Sequence, residues 1–164
     1  MQIEIRDFRD ADVAAMDAIA AAAFAQYEHD FPDWPAFARK TASLAPLRGR
    51  GEPLVATVDG RVAGAVGYVG AAHNTSPLYD PGWPAVRMLA VAPQFRGLGL
   101  GRALTGECVA RARRDRAAVL ALHTSPFMHV ALGMYLRMGF RFHRDAPPIC
   151  GAPCAIYLLR LNTT

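Results

Sequence analysis

The chain has 164 residues, 52% of them hydrophobic and 20% charged, and its net charge of +4 permits an anionic ligand without requiring one. This composition excludes a disordered or fibrous chain and predicts one globular domain over residues 1–164, and three sparse cysteines do not indicate a disulfide framework. No apolar run can cross a bilayer and the N-terminal segment lacks a signal-peptide core, so we expect a cytoplasmic protein with no membrane partner.

The N-terminal half predicts a strand, two helices and a hairpin. Charged and apolar residues alternate in QIEIRDF, residues 2–8, as in a half-buried strand. Asp10 is predicted to cap the first helix, and DWPAFARKTASL, residues 33–44, is predicted as a second, shorter helix. Further along, Asp59 and Gly60 separate two apolar segments and predict a two-residue type I′ turn between antiparallel strands.

The C-terminal half alternates strands with helices. Residues 71–83, AAHNTSPLYDPGW, are rich in turn formers and are predicted as a long loop, of a kind that is often functional. PAVRMLAV, residues 84–91, is predicted as a strand. A glycine-rich segment follows it, and the next helix is predicted to end at about Arg114. AAVLALHT, residues 117–124, is predicted as an interior strand.

The last predicted elements are one helix and two strands. Ser125 and Pro126 are predicted as the N-cap and first residue of the helix, and Gly139 is predicted to close it in the left-handed conformation. FRFH and CAIYLLRL, residues 140–143 and 154–161, are predicted as strands. The element order, β-α-α-β-β-β-α-β-α-β-β, combines a hairpin with a βαβ crossover. We therefore predict an α/β (α+β) fold, with a mixed, largely antiparallel sheet of six to seven strands flanked by about four helices on both faces.

The glycine-rich segment PQFRGLGLGRAL, residues 93–104, carries the strongest functional signal. A nucleotide-hydrolase loop is excluded because Gly101 is followed by Arg102 and alanine instead of lysine and a hydroxyl residue. A dinucleotide fingerprint is excluded because Arg102 stands where its last glycine belongs. A glycine-rich turn before a helix instead presents backbone N–H groups to an anion such as a pyrophosphate, and Arg96 adds positive charge. A tight turn without a ligand is the alternative.

Two motifs resemble a known family. V-x-P-x-x-R-G-x-G-x-G-x-x-L, residues 91–104, resembles motif A of the GCN5-related N-acetyltransferase (GNAT) superfamily. ALGMYLRMGF, residues 131–140, resembles the same family's A-x-x-L-Y-x-x-x-G-F. The element order also matches that family's acyl-CoA N-acyltransferase fold over nearly the whole chain. The resemblance implies direct acetyl transfer from acetyl-CoA to the primary amine of a small molecule, without a metal ion, by a protein that forms a homodimer.

The resemblance also implies where acetyl-CoA binds. Its pyrophosphate would rest on the backbone of residues 96–102, and its pantetheine arm would pair with the strand at residues 88–91, beside a gap where this strand diverges from the next. The implied cofactor-binding residues are Met88, Leu89, Ala90, Val91, Arg96, Gly97, Leu98, Gly99, Leu100, Gly101, Arg102 and Tyr135. Tyr135 is implied as the general acid for the leaving thiolate, and the backbone N–H of Leu89 or Ala90 as the oxyanion donor.

The general base is not evident from the sequence. Many members of the family carry a carboxylate on the strand before the glycines, whereas PAVRMLAV has none. Strict alternation would place Ala85, Arg87 and Leu89 on one face of this strand and Val86 and Met88 on the other. Asp80 and His123 are the candidate bases, and a structural role for each, or deprotonation by water, is the alternative.

Acceptor binding is expected to involve one cation and several aromatic residues. Arg87 is a candidate for holding a carboxylate of the substrate, and an ion pair within the protein is the alternative. Tyr79 and Trp83 in the long loop, with Tyr27, are candidate substrate-binding aromatic residues, and loop anchoring is the alternative.

Other functions are also weighed against the sequence. The missing carboxylate leaves a non-catalytic acyl-CoA-binding or sensor domain as the second hypothesis. RARRDR, residues 111–116, is basic enough to raise nucleic-acid binding, but we predict that it is a solvated helix end and that nucleic acid is not a partner. His143, Cys150 and Cys154 are irregularly spaced and lack a fourth ligand, so no metal site is expected.

Overall fold

The computed structural model of the protein describes residues 1–161, and it contains the predicted elements in the predicted order. The strands are β1 (Ile3–Asp7), β2 (Glu52–Val58), β3 (Arg61–Val69), β4 (Ala85–Val91), β5 (Val119–Thr124), β6 (Arg141–Ile149) and β7 (Ala152–Arg160). The helices are α1 (Val13–Phe24), α2 (Trp34–Lys40), α3 (Leu100–Arg114) and α4 (His129–Met138).

The strands form one mixed, largely antiparallel sheet in the order β1-β2-β3-β4-β5-β7-β6. Only the neighbours β4 and β5 run parallel among the described strands, and α3 forms the crossover between them. Asp59 and Gly60 have φ angles of 48° and 82° and connect β2 to β3. The predicted sheet and the predicted hairpin turn are therefore confirmed, because this turn requires positive φ at both residues.

The helices cover both faces of the sheet, as predicted. Leu54 in β2 packs in the same core cluster as Leu104 of α3, whereas its neighbour Val55 packs with Met16 of α1. Successive side chains of a strand point to opposite faces, so α1 and α3 lie on opposite sides of the sheet. Tyr135 of α4 belongs to the cluster of α3 and therefore lies on that side.

Two predicted helix starts are wrong. The helix α1 begins at Val13, and the carboxylate of Asp12, not that of Asp10, accepts a backbone N–H bond from Arg9 at 2.8 Å. The helix α4 begins at His129 rather than at Pro126, because residues 125–128 form a separate turn in which the carbonyl of Ser125 accepts the N–H of Met128 at 3.0 Å.

The strand β6 is longer than predicted. It runs from Arg141 to Ile149 and includes Pro147 and Pro148. Proline cannot donate to a sheet, but β6 is the last strand in the order and leaves one side unpaired. The register with β7 shifts between Ala146 and Ile149, which accommodates the prolines.

The basic end of α3 is not simply a solvated helix end. The side chain of Arg111 is only 14% exposed, and its guanidinium contacts Asp7 at 2.8 Å and Glu52 at 2.7 Å. Arg114 also contacts Glu52, at 2.7 Å. Hydrogen bonding to Arg114 and the charge of Arg111 hold the pKa of Glu52 below its usual value. These pairs connect the end of α3 to β1 and β2.

Two further observations concern metals and membranes. Within residues 1–161, no three or more His, Cys, Asp or Glu side chains group closely enough to hold a metal ion. None of the helices in this part of the chain combines the length and apolarity needed to span a membrane.

Candidate active site

The site is built around a gap in the middle of the sheet. The parallel strands β4 and β5 pair at a single position in the described chain, Ala85 with Ala121, and the N–H of Ala121 donates to the carbonyl of Pro84 at 2.9 Å. Beyond this pair the two strands diverge. The gap that the family resemblance implied between these strands is therefore present.

A bulge in β4 accompanies the divergence. Ala65 of β3 lies opposite Ala90, but Gly67 lies opposite Arg87, so β4 has one more residue than β3 over this stretch. Met88 within it has a φ of 54°. An extra residue bends a strand and increases its twist, which turns the end of β4 away from β5.

The bulge also changes which face each residue of β4 occupies. Val86 and Leu89 both pack in the core on the α3 side, whereas Met88 packs with Met16 of α1 on the other side. The strict alternation expected from the sequence, with Leu89 opposite in face to Val86, is therefore wrong. The extra residue reverses the alternation after Arg87.

A cavity of about 470 Å³ opens at this gap. Such a volume is typical of small-molecule sites, which measure about 300–1,000 Å³. Its lining includes, among the predicted site residues, Tyr27, Arg87, Met88, Leu89, His123 and Tyr135. The remaining predicted residues lie outside it, either in the glycine-rich turn, in the rest of β4, or in the loop at residues 71–83.

Tyr135 projects from α4 into this cavity. The residue is only 6% exposed, and its hydroxyl makes no hydrogen bond to any part of the chain that the structure describes. Burial raises the pKa of Tyr135 above its ordinary value. The hydroxyl therefore stays protonated at neutral pH and is available to donate a hydrogen bond to a bound molecule.

His123, at the end of β5, is held by Tyr79. The Tyr79 hydroxyl and His123 Nδ1 are 2.6 Å apart. Burial first, and then the positive charges of Arg87 and Lys40, lower the pKa of His123 from 6.5 to about 4, so the imidazole is neutral at pH 7. Burial also raises the pKa of Tyr79, which keeps its hydroxyl protonated.

The tautomer of His123 follows from this hydrogen bond. The Tyr79 hydroxyl has no other acceptor among residues 1–161, and a buried donor without an acceptor is costly. We therefore assign the hydroxyl proton to the bond with Nδ1, which places the imidazole proton on Nε2. In this arrangement the N–H of His123 Nε2 can donate a hydrogen bond. The lone pair on Nδ1 already accepts the hydrogen bond from Tyr79.

Asp80 and Trp83 lie outside the cavity. The Asp80 carboxylate pairs with Arg144 at 3.1 Å, and Arg144 also donates to the carbonyl of Leu78 at 2.9 Å. The Trp83 ring contacts the His143 ring at 5.3 Å and the Arg144 guanidinium at 5.7 Å. Both residues anchor the loop to β6, which is the alternative that the sequence left open. No carboxylate lines the cavity within the described chain.

The glycine-rich turn leads directly into α3. Gly97 and Gly99 have φ angles of 83° and 78°, and a Cβ added to either would meet no atom within 4 Å. Glycine is therefore needed for backbone conformation, and the space outside is open. A Cβ on Gly101 would instead lie 3.4 Å from Met134 Sδ, so this position packs against α4.

The turn presents a run of free backbone donors. The first helical N–H bond in this segment runs from Ala103 to the carbonyl of Gly99, and no acceptor within residues 1–161 serves the N–H groups of residues 97–102. Arg96 and Arg102 flank these donors and are exposed, with no ion pair in the same part of the chain. Free amides at the positive end of a helix form an anion-binding turn.

Sequence reasoning missed two rings of the cavity's aromatic wall, those of Phe31 and Phe37. Phe31 and Phe37 stack with their ring centroids 3.7 Å apart, and Phe24 meets Phe37 edge-on at 5.7 Å. These three line the cavity together with Tyr27. An available signal was the density of aromatic residues over residues 24–37, but helical periodicity explains part of it as ordinary core.

A family model described as "Acetyltransferase (GNAT) family" matches residues 14–140. No curated protein matches the sequence significantly. Among solved structures, a PaiA N-acetyltransferase from Thermoplasma acidophilum in complex with coenzyme A is similar over 98% of this chain and 100% of its own, with 16% identity and a TM-score of 0.78.

Two further structures show the same fold. A GNAT family acetyltransferase from Brucella melitensis in complex with acetyl-CoA covers 98% of this chain and 89% of its own, with 22% identity and a TM-score of 0.67. YncA, a putative acetyltransferase from Salmonella typhimurium with acetyl-CoA, covers 99% and 95%, with 19% identity and a TM-score of 0.71. At these identities the likeness establishes the fold.

Proposed function

This chain belongs to the acetyltransferase (GNAT) family, and from that premise we propose that it transfers the acetyl group of acetyl-CoA directly to the primary amine of a small molecule. The observation that carries the proposal is the run of free N–H groups at residues 97–102 beside the gap between β4 and β5. The similar structures from Brucella and Thermoplasma, which hold acetyl-CoA and coenzyme A, support it.

Acetyl-CoA binding uses backbone groups for the most part. The pyrophosphate accepts hydrogen bonds from the N–H groups of residues 97–102, and Arg96 and Arg102 add positive charge. The pantetheine arm lies along residues 88–91, where β4 has lost its partner β5 and a free strand edge is available. The thioester then reaches the cavity beside Leu89 and Tyr135.

The transfer step forms a C–N bond and breaks the thioester C–S bond. Leu89 lines the cavity and Ala90 does not, so the backbone N–H of Leu89 is our choice of oxyanion donor. Tyr135 donates its proton to the departing sulfur. The attacking amine must lose a proton, and because no carboxylate lines the described cavity, we assign this loss to solvent water.

The test combines binding and turnover. We expect acetyl-CoA to raise the thermal midpoint of the protein, and free thiol to be released when primary amines are added. Loss of the donor in Tyr135→Phe should lower kcat by about 100-fold, the lower end of what general acid catalysis supplies. Tyr157→Phe is the matched control, since Tyr157 lies in β7 outside the cavity, and its kcat should match that of the wild type.

One observation favours a second candidate, a non-catalytic acyl-CoA-binding or sensor domain. The cavity lacks the carboxylate that many members of the family carry on this strand. Stabilisation by acetyl-CoA with no thiol release from the amines tested would favour this second function over the first. Assembly as a homodimer and a cytoplasmic location stay predictions.

A further inference from the structure

One part of the cavity wall is apolar and aromatic. The rings of Phe24, Tyr27, Phe31 and Phe37 form this part of the wall, which we call the aromatic pocket. Met128 and Ile149 extend it, and both are partly buried against Phe31 and Phe37. A pocket of this composition binds a hydrophobic or aromatic group, because burying apolar surface is the main gain available there.

The charged side chains that line the cavity are both cations. They are Arg87 on β4 and Lys40 at the end of α2. Arg87 is only partly exposed, and its guanidinium has no hydrogen bond or ion pair among residues 1–161, unlike Arg6, Arg111 and Arg144, which all bind carboxylates. A partly buried cation without an acceptor favours an anionic ligand.

The position of Arg87 restricts what this anion can be. Arg87 lies two residues before Leu89, so at most about 7 Å of chain separates it from the N–H that we assign to the thioester oxygen. The anion must therefore lie close to the reacting amine, within reach of one arginine side chain. An α-amino acid meets this condition, because its amine and its carboxylate share one carbon atom.

We infer that the acceptor is an α-amino acid with an apolar or aromatic side chain, whose carboxylate binds Arg87 and whose side chain enters the aromatic pocket. This inference rests on the proposed transferase function and specifies its substrate class. Lys40 also lines the cavity and adds positive charge there, and His123 offers the N–H of Nε2 as a further donor.

The same features disfavour other amines. Polyamines and other polycationic acceptors need carboxylates to bind, but none lines the described cavity, and both cations there repel them. An acidic amino acid such as glutamate would satisfy Arg87 but would place a second carboxylate against the rings of the aromatic pocket, where it is poorly solvated.

The test is a comparison of matched amines in the thiol-release assay. The amines are L-phenylalanine, phenethylamine, L-phenylalaninamide, L-glutamate and spermidine. Together they separate the effect of the carboxylate on turnover from the effects of the aromatic group and of added positive charge. We expect kcat/KM for phenylalanine to exceed the values for phenethylamine and for the amide by about tenfold or more. Both of these amines lack the carboxylate, and the loss of one charged hydrogen bond to Arg87 changes binding by about this factor. Glutamate and spermidine should be poorer still.

A variant then assigns the effect to Arg87. In Arg87→Gln, the ratio of kcat/KM for phenylalanine to that for phenethylamine should fall about tenfold, through KM for phenylalanine more than through kcat. Arg39→Gln is the control, since Arg39 is an exposed residue of α2 that does not line the cavity and its removal changes the net charge equally.

Different outcomes would contradict the inferred substrate class and the proposed transferase function. If phenethylamine, the amide or spermidine reacts as well as phenylalanine, or if Arg87→Gln leaves the ratio unchanged, the inferred substrate class is wrong while the transferase function stands. If no amine releases thiol although acetyl-CoA stabilises the protein, the proposed function fails, and the inference fails with it.

Discussion

His123 shows at the scale of one residue how burial changes a role expected from the sequence. A histidine at the end of a strand beside the site is a natural candidate for a general base. In the structure its Nδ1 bonds to Tyr79, and burial lowers its pKa to about 4. The side chain is therefore neutral at pH 7 and supplies a hydrogen-bond donor, because the tyrosine hydroxyl occupies its lone pair.

The low pKa of His123 predicts a pH dependence of stability. The group titrates near 6.5 in the unfolded chain and near 4 in the native protein, so between these values the unfolded chain binds more protons. Its contribution to the free energy of unfolding is therefore complete above pH 6.5 and is lost as the pH falls to about 4. The loss should reach about 3 kcal/mol at most.

The measurement is urea unfolding of the wild type and of His123→Gln at pH 7 and pH 4. Carboxylates such as Glu52 titrate in both proteins, so only the difference between the two reports on His123. We expect the wild type to lose about 2–3 kcal/mol more than the variant over this range. Equal losses would show that His123 does not titrate abnormally.

At the scale of elements, the turn before α3 depends on two glycines with positive φ. Their N–H groups are arranged for an anion, and Gly99 is the residue that immediately precedes the helix. Gly99→Val should strain the backbone and place a branched side chain in the open space that we assign to the pyrophosphate. We expect it to abolish the rise in thermal midpoint that coenzyme A produces.

Strain alone must be separated from the loss of binding. Gly49 offers a matched control, with a φ of 76° and no atom within 4 Å of an added Cβ, in the segment between α2 and β2. Gly49→Val should lower the thermal midpoint without ligand about as much as Gly99→Val does, but should keep the response to coenzyme A. An unchanged response in Gly99→Val would remove the basis for the proposed pyrophosphate site.

For the whole molecule, the end of α3 is fixed to the far edge of the sheet by ion pairs. Arg111 contacts Asp7 of β1 and Glu52 of β2, and its side chain is largely buried. We expect Arg111→Gln to lower the free energy of unfolding by about 1 kcal/mol, or roughly 3 °C in thermal midpoint. Arg113→Gln is the control, because Arg113 is exposed, and its effect should stay within about 0.5 kcal/mol.

The ion pairs at the end of α3 also bear on nucleic-acid binding. Arg111 and Arg114 are already paired with acidic side chains, so two of the four arginines in the basic cluster at residues 111–116 are engaged within the protein. Equal stability of Arg111→Gln and Arg113→Gln would mean that the ion pairs do not contribute to the free energy of unfolding. Separately, competition of DNA with coenzyme A for binding would reopen the nucleic-acid hypothesis.

The sequence by itself determined the order of the elements, the hairpin turn at Asp59 and Gly60, and the glycine-rich turn before α3. These features depend on local backbone preferences, since positive φ selects glycine and periodicity reveals which face of an element is buried. The family resemblance added the proposed role of the turn in binding a pyrophosphate, because motif spacing preserves the positions of residues that lie close together along the chain.

Only the tertiary structure decided the bulge at Met88, the pairing of Asp80 with Arg144 and the assembly of the aromatic pocket. The bulge and the ion pair join segments that are far apart in sequence, and no local pattern records which distant segments meet. The four rings lie within residues 24–37, but they become a cavity wall only where they pack with Met128 and Ile149. Whether a charged residue such as Arg87 finds a partner depends on every element packed around it, so this too becomes visible only when the chain is folded.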